Sequence, residues 1–398
     1  MADESTPPGG GNPGPASTDS EVTFRVGWME LFFDLSVVSW LTFRNAALVE
    51  GEESRGILVA LAGGFLVFTI WTITSTINNR YPTDSAIRRG LMALIMFFLL
   101  VSSLAFSPDD VVTHAVGGVC FALIFWCIAA MYLEVYVGRA MAASTALMAG
   151  GAAALAGAIC LAVSPFITDD DTGYALLSTV CAVSALIAIA PLTRVIAGHD
   201  EDGPLLYPQR FDERWGQLAL ITLGEVFLVL TATLLGHGNY VNLPLVAVAF
   251  ATVFALWRLY FDSAMSGEAS ASPYRFNLLT LAHLVLLIGI VGAIDLAIVQ
   301  ALAESLSASL HFLKLGGAFG LVFIAMALIT WARRKSGRRV VVADLVMAVG
   351  TVAAGALAES TSAVSFSVFI TLICGVVVLY ALLLQRIDPE ARRIRLRY

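Results

Sequence analysis

Residues 113–137, THAVGGVCFALIFWCIAAMYLEVYV, carry one charged side chain, Glu134, along a stretch long enough to cross a bilayer as a helix. Runs of the same kind recur along the chain. At about 20 apolar residues per crossing, spans are expected near 28–48, 56–79, 87–106, 113–137, 141–163, 174–196, 212–235, 241–262, 275–301, 310–331, 340–358 and 363–385. Hydrophobic residues are 58% of the 398 positions and charged residues 13%, too little polar surface to clothe a water-soluble globule of this size. In hydrocarbon every backbone N–H and C=O needs an internal partner, and the alternation of a membrane β-barrel is absent. The expected fold is all-α: a polytopic helical integral membrane protein with about twelve transmembrane helices. Residues 1–20, rich in Pro, Gly, Ser and Thr, are expected to form a disordered tail, 21–385 the membrane domain, and 386–398 a basic cytoplasmic tail. The cysteines, Cys120, Cys127, Cys160, Cys181 and Cys374, lie in apolar runs without paired spacing and read as small buried hydrophobes.

The formal charge of −7 matters less than where Lys and Arg fall, because topology follows those two residues. On the twelve-span reading all but Arg44, Arg55 and Lys314 of the 23 basic residues collect on one side. That side is the cytoplasm, and both termini lie there. The opposite loops carry Glu50, Glu52 and Glu53, then Asp109 and Asp110, then Asp169, Asp170 and Asp171. A weak internal repeat sets Arg25, Trp28, Glu30 and Asp34 against Arg210, Glu213, Trp215 and, less well, Gln217. It also sets Arg80 and Asp84 against Arg258 and Asp262, each pair at i,i+4. Two parallel six-helix halves, 21–200 and 205–385, would follow, related by an axis along the membrane normal.

Ionisable residues inside spans cost about 2.5–3.5 kcal/mol each on insertion scales, so each is a functional candidate. Glu30 and Asp34 stand one turn apart on one face of the first helix, and Glu225 lies mid-span in the seventh. Glu134, Glu213, Arg214, Arg258, Asp262 and Asp344 fall toward the cytoplasmic half, with Arg80 and Asp84 at its boundary, which implies a polar cavity opening inward. The reacting groups are therefore sought among Asp34, Glu225 and Glu30. Substrate contacts are sought among Arg80, Asp84, Glu213, Arg214, Arg258, Asp262 and Trp28. The same charges could instead be interhelical pairs that only specify packing. His283 is either a proton relay or a hydrogen-bonded packing histidine, and Asp295 either part of an exit path or a polar contact between helices.

Several chemistries lack their signatures. There is no GxxxxGK loop for a nucleotide and no HExxH, and the five histidines show no metal or haem spacing, so no cofactor and no metal are expected. The Asp169–Asp171 run reads as a solvated outward loop, and Gly316-x-x-x-Gly320 as a helix-packing motif. The basic residues mark loop ends and form no aromatic-interleaved patch, so nucleic acid is not an expected partner. The partners implied are the lipid bilayer and a small-molecule or lipophilic substrate.

Glu30-Leu-Phe-Phe-Asp34-Leu resembles the opening signature of the bacterial low-temperature-requirement A family. Asn79-Arg80-Tyr-Pro-Thr-Asp84, Asp212-Glu213-Arg214-Trp-Gly with Leu223-Gly224-Glu225, and Trp257-Arg-Leu-Tyr260-Phe261-Asp262 are similar to its further motifs, in family order. Pro82 and Ser85 depart from that pattern where acidic residues are usual, which weakens a metal or proton role for this loop. The resemblance implies a multi-pass protein of the bacterial inner membrane, and its motif residues fall on the carboxylates and arginines selected above by depth. Two functions are weighed. One is a secondary transporter or permease in which Asp34 and Glu225 exchange protons while Arg214 or Arg258 pairs with them or with an anionic substrate. The other is a membrane-embedded enzyme using a buried carboxylic acid on a lipophilic substrate, such as an isoprenoid or terpene cyclase, with Trp28, Phe32, Phe33, Trp215 and Trp257 steadying a developing cation.

Overall fold

The computed structural model describes residues 26–50, 55–83, 85–104, 111–138, 143–167, 171–196, 207–236, 243–266, 273–294, 311–334, 337–361 and 365–387. Among them there are twelve α-helices and no strand: α1 (Trp28–Glu50), α2 (Arg55–Arg80), α3 (Ala86–Leu104), α4 (Val111–Gly138), α5 (Ala143–Val163), α6 (Asp171–Ile196), α7 (Pro208–Gly236), α8 (Leu243–Arg258), α9 (Pro273–Ile294), α10 (His311–Arg333), α11 (Arg338–Thr361) and α12 (Phe366–Ile387). A 3-10 turn, Ser164–Phe166, follows α5, and a π-helical segment, Leu259–Ala264, continues α8. Each helix overlaps one of the expected apolar runs. Eight contain a stretch long and apolar enough to cross a membrane, and shorter apolar stretches lie in α6 (Ala175–Pro191) and α12 (Val368–Leu384). The tail expected over 1–20, Asp84, Asp295 and residues 388–398 lie outside the described residues, as does the Arg44 side chain; Arg386 and Ile387 still belong to α12.

Lipid is the solvent that fits the side chains. Leu100, Val349, Leu357 and Leu382 face outward, whereas Thr69, Thr72, Thr74, Ser75, Thr76, Asn78 and Asn79 of α2 are buried. That distribution inverts the one water selects. Exposed aromatic residues stand at the start of α1 (Trp28), the end of α4 (Tyr136), just before α7 (Tyr207), at the start of α9 (Tyr274) and at the end of α10 (Trp331). The Tyr274 and Trp331 rings meet edge to face at 6.5 Å, which brings the start of α9 and the end of α10 to one level.

Residue contacts give the helix directions. Gly63 and Gly64 of α2 lie against Trp40 and Leu41 while Trp71 reaches back to Asp34, so α1 and α2 are antiparallel. Gly118 meets Ser164 and Cys160, Gly157 meets Ala122 and Trp126, and Gly150 meets Tyr132, which makes α4 and α5 antiparallel along a glycine seam. Gly316 and Gly320 of α10 pack on Thr351 and Ala348 of α11, and Gly355 packs on Phe312, a second antiparallel seam of the same kind. In each seam a Cβ would press on a neighbouring backbone carbonyl, so only glycine permits so close an approach. By contrast α1 and α7 run parallel, since Glu30 pairs with Arg210 and, one turn further along both helices, Asp34 pairs with Arg214.

Helix neighbours recur in order. Within the first six helices, α1 touches α2 and α3, α2 touches α4 and α6, α3 touches α4, α4 touches α5 and α5 touches α6. Within the last six, α7 touches α8 and α9, α8 with its π segment touches α10 and α12, α9 touches α10, α10 touches α11 and α11 touches α12.

Candidate functional site

The most deeply buried charge cluster sits where α1, α2 and α7 meet. Asp34 is 0% exposed. Its Oδ1 accepts from Trp71 Nε1 of α2 at 2.6 Å and from Arg214 Nη2 of α7, while Oδ2 has no hydrogen-bond partner among the described residues. The Arg214 guanidinium lies 5.6 Å from the centre of the Trp71 ring, so the indole donates to the acid and presents its face to the base. One turn toward the helix starts, Glu30 accepts from Arg210 Nη2 at 3.0 Å with both oxygens and approaches Arg214 Nη1 at 3.4 Å. Glu30 Oε2 also accepts the Gly27 backbone N–H, which caps the first turn of α1. Arg214 is thus shared by two acids. Protonation of Asp34 at the open Oδ2 would remove its charge with the Oδ1 contacts still in place, and would leave Arg214 a second carboxylate, Glu30, within reach.

Other polar contacts surround this cluster at the same end of the bundle. Arg333, at the end of α10, donates to Asp212 of α7 from Nη1 at 2.6 Å and from Nη2 at 3.0 Å, the bidentate geometry that suits a guanidinium. Arg334 donates from Nε to the Ser266 carbonyl at 2.8 Å and from Nη2 to that of Ser263, holding carbonyls at the end of the π segment. Asn79 accepts from the Tyr207 N–H at 2.9 Å and donates to the Tyr207 carbonyl at 3.0 Å, tying the end of α2 to the entry of α7. Arg88 donates to Glu134 at 2.8 Å and to Asn78 at 3.1 Å, and Ser85 donates to the other Glu134 oxygen.

The remaining sequence candidates are placed as follows. Arg258 and Asp262 form an i,i+4 pair at 3.5 Å across the start of the π segment. Glu213 is exposed and accepts from Gln217 at 3.2 Å. Glu225, eleven residues beyond Arg214 and so about 16 Å further along α7, is half-buried and has no partner among the described residues. Arg80 is buried beside Tyr81, its guanidinium 5.5 Å from that ring, and lines a small recess rather than the Asp34 cluster. Trp28 is 88% exposed, on the outer surface. Of the aromatic residues considered for steadying a cation, Phe32 also faces outward, and Trp215 stacks on His283 at 4.9 Å. His283 is the hydrogen-bonded packing histidine: Nδ1 bonds the Leu279 carbonyl at 2.6 Å, and Nε2 meets Tyr260 Oη at 3.0 Å. Tyr380 donates to Asp344 at 2.6 Å. Among the described residues no group of His, Cys, Asp and Glu could hold a metal ion, and all five cysteines are free and buried.

Sequence reasoning missed Trp71, the third member of the Asp34 cluster. A signal was present, since Trp71 opens the run Trp71-Thr-Ile-Thr-Ser-Thr-Ile-Asn-Asn79, unusually polar for a buried span, and a buried indole N–H needs an acceptor. The pairing of Arg210 with Glu30 and of Arg333 with Asp212 required the helix arrangement.

Residues 25–381 match the family model described as "Bacterial low temperature requirement A protein (LtrA)". A comparison with curated proteins finds no match. The match runs from just before α1 into α12, so it takes in Asp34, Trp71 and Arg214 together with both sets of six helices. The chain belongs to the bacterial low-temperature-requirement A family and is a multi-pass helical membrane protein.

Proposed function

We propose that the protein is a proton-coupled secondary transporter of the bacterial inner membrane, with twelve spans in two parallel six-helix halves and its basic end in the cytoplasm. The observation that carries the reading is the buried Asp34–Arg214 pair, which bridges the first helix of each half and leaves one carboxylate oxygen open. The recurring order of helix neighbours supports the duplication, as do the parallel course of α1 and α7 and the glycine seams at the corresponding pairs α4–α5 and α10–α11. The exposed aromatic residues at alternating helix ends support a membrane interface at the basic end. With Asp34 ionised, Arg214 locks α1 to α7. With Asp34 protonated, the charge attraction between Asp34 and Arg214 is lost, Arg214 keeps only its longer contact to Glu30, and the weakened α1–α7 seam lets the halves rock. Glu225 serves as a second proton-carrying group further out along α7.

The test is proton flux in sealed proteoliposomes carrying wild type, Asp34→Asn or Glu225→Gln, with a panel of cytoplasmic metabolites offered. Substrate-dependent flux in the wild type that is lost in Asp34→Asn is the expected result. Flux that persists at the wild-type rate in Asp34→Asn would remove this residue from the coupling.

A further inference from the structure

Arg338 and Arg339 open α11, and both are exposed. Among the described residues neither takes part in an ion pair or a side-chain hydrogen bond, whereas Arg333 is held by Asp212 and Arg334 by the Ser263 and Ser266 carbonyls. The acids of α11 are engaged elsewhere: Asp344 is buried and accepts from Tyr380, and Glu359, near the far end, accepts the Phe312 N–H.

Beyond Arg338 on the same helix face stand Val342, Leu345 and Val349, all exposed, at the i, i+4, i+7, i+11 spacing of one stripe. Val352 carries that face onward, borders Gly320 at the α10–α11 seam and is still exposed, so the stripe is the outer lip of the seam. Across it α10 turns Leu321, Ile324 and Trp331 outward. Gly337 packs on Thr330 and Arg334, which seats the start of α11 beside the end of α10 and brings Arg338 to the level of the Trp331–Tyr274 ring pair. From Arg338 to Val349 is about 16 Å along the helix, close to half of the roughly 30 Å hydrocarbon core. The groove therefore offers free positive charge at the interface, two amphipathic rings at the same level, and an apolar floor one leaflet deep. A soluble anion would use only the charge, and a zwitterionic lipid would set its ammonium against the arginines.

We propose that this outer groove of α10 and α11 binds one anionic phospholipid, its phosphate at Arg338 with Arg339 beside it and its acyl chains laid along the stripe. Asp34 is buried in the interior, so this site and proton coupling stand or fall separately.

The test is native mass spectrometry of the purified full-length protein, released from neutral-detergent micelles that hold equal amounts of phosphatidylglycerol and phosphatidylcholine. One phosphatidylglycerol should be retained in preference to phosphatidylcholine. At about fivefold in affinity per interfacial arginine, Arg338→Gln should weaken that preference about fivefold and Arg338→Gln/Arg339→Gln by more than tenfold. Arg386→Gln, which removes the same charge from the exposed end of α12, should leave it unchanged. Equal retention of the two lipids overturns the site. So does an equal loss in Arg386→Gln, which would make the attraction a diffuse effect of charge. Displacement of the lipid by an equal concentration of glycerol phosphate would make it a site for a free anion and overturn the lipid. Both arginines are exposed side chains, so the variants test binding without disturbing the fold.

Discussion

Replacing Arg214 by glutamine removes the cation from Asp34, a carboxylate with no exposed surface, and leaves that charge with a single indole N–H donor. Breaking a buried pair by deleting one partner costs about 3–5 kcal/mol, because the stranded charge remains in a medium of low dielectric. Asp34→Asn is a different perturbation. The amide oxygen still accepts from Trp71, and Arg214 still has Glu30 at 3.4 Å, so the loss should be about 1–2 kcal/mol. The double variant Asp34→Asn/Arg214→Gln strands no charge at Asp34 and should be more stable than Arg214→Gln alone. The expected coupling is at least about 1.5 kcal/mol in favour of the double variant. Reversible unfolding in mixed micelles of rising SDS content, followed by circular dichroism, measures all three. The reasoning fails if Arg214→Gln is no worse than Asp34→Asn, or if the two losses simply add.

Three further outcomes are expected. Gly316→Ala would press a Cβ into the Thr351 carbonyl and should cost about 1–3 kcal/mol, whereas Gly224→Ala, with nothing within 4 Å, should be tolerated; thermal unfolding in detergent separates them. A cysteine placed at Trp28 and one placed at Phe166 should react with a membrane-impermeant maleimide from opposite faces, Trp28 from the cytoplasmic face; reaction from one face would overturn the topology. His283→Phe deprives the buried Tyr260 hydroxyl of its partner and should cost about 1–3 kcal/mol, part of which Tyr260→Phe in the same chain restores, as unfolding of the double variant would show.

Helix placement was legible because apolar run length is a one-dimensional property, and eight of the twelve described helices carry a stretch long and apolar enough to cross a bilayer. Glu30, Asp34 and Arg214 were legible for a related reason: a charge inside an apolar run is costly wherever its helix packs. Their partners were not. Whether Asp34 meets Arg214 or Arg258 depends on which faces of α1, α7 and α8 turn together, and the weak repeat that set Arg25, Glu30 and Asp34 against Arg210, Glu213 and Gln217 says nothing about which residues touch. The i,i+4 pair Arg258–Asp262 could be read from spacing, but not its position on a π segment, where the ordinary helical ladder gives way. At the depth where the charges pointed to an inward-opening polar cavity, Glu30, Asp34, Arg210 and Arg214 pair across α1 and α7, contacts that depend on which helices meet and that no single helix records.

Whether the Asp34–Arg214 pair exists to hold the fold or to move a proton can be decided by replacing both residues with apolar ones of similar volume. Buried ion pairs seldom beat well-packed hydrophobic side chains, and such replacements are neutral or stabilising by about 1–4 kcal/mol. Here the apolar pair would also retire the open Oδ2 of Asp34 and the unsatisfied Nε of Arg214, two defects that a purely structural contact has no reason to keep. Asp34→Leu/Arg214→Met should therefore unfold at or above the wild-type denaturant concentration while losing all substrate-coupled proton flux. A chain as unstable as Arg214→Gln would instead make the pair a packing device. Glu30 would then still hold Arg210 and keep α1 beside α7, but nothing at the seam would answer to protons.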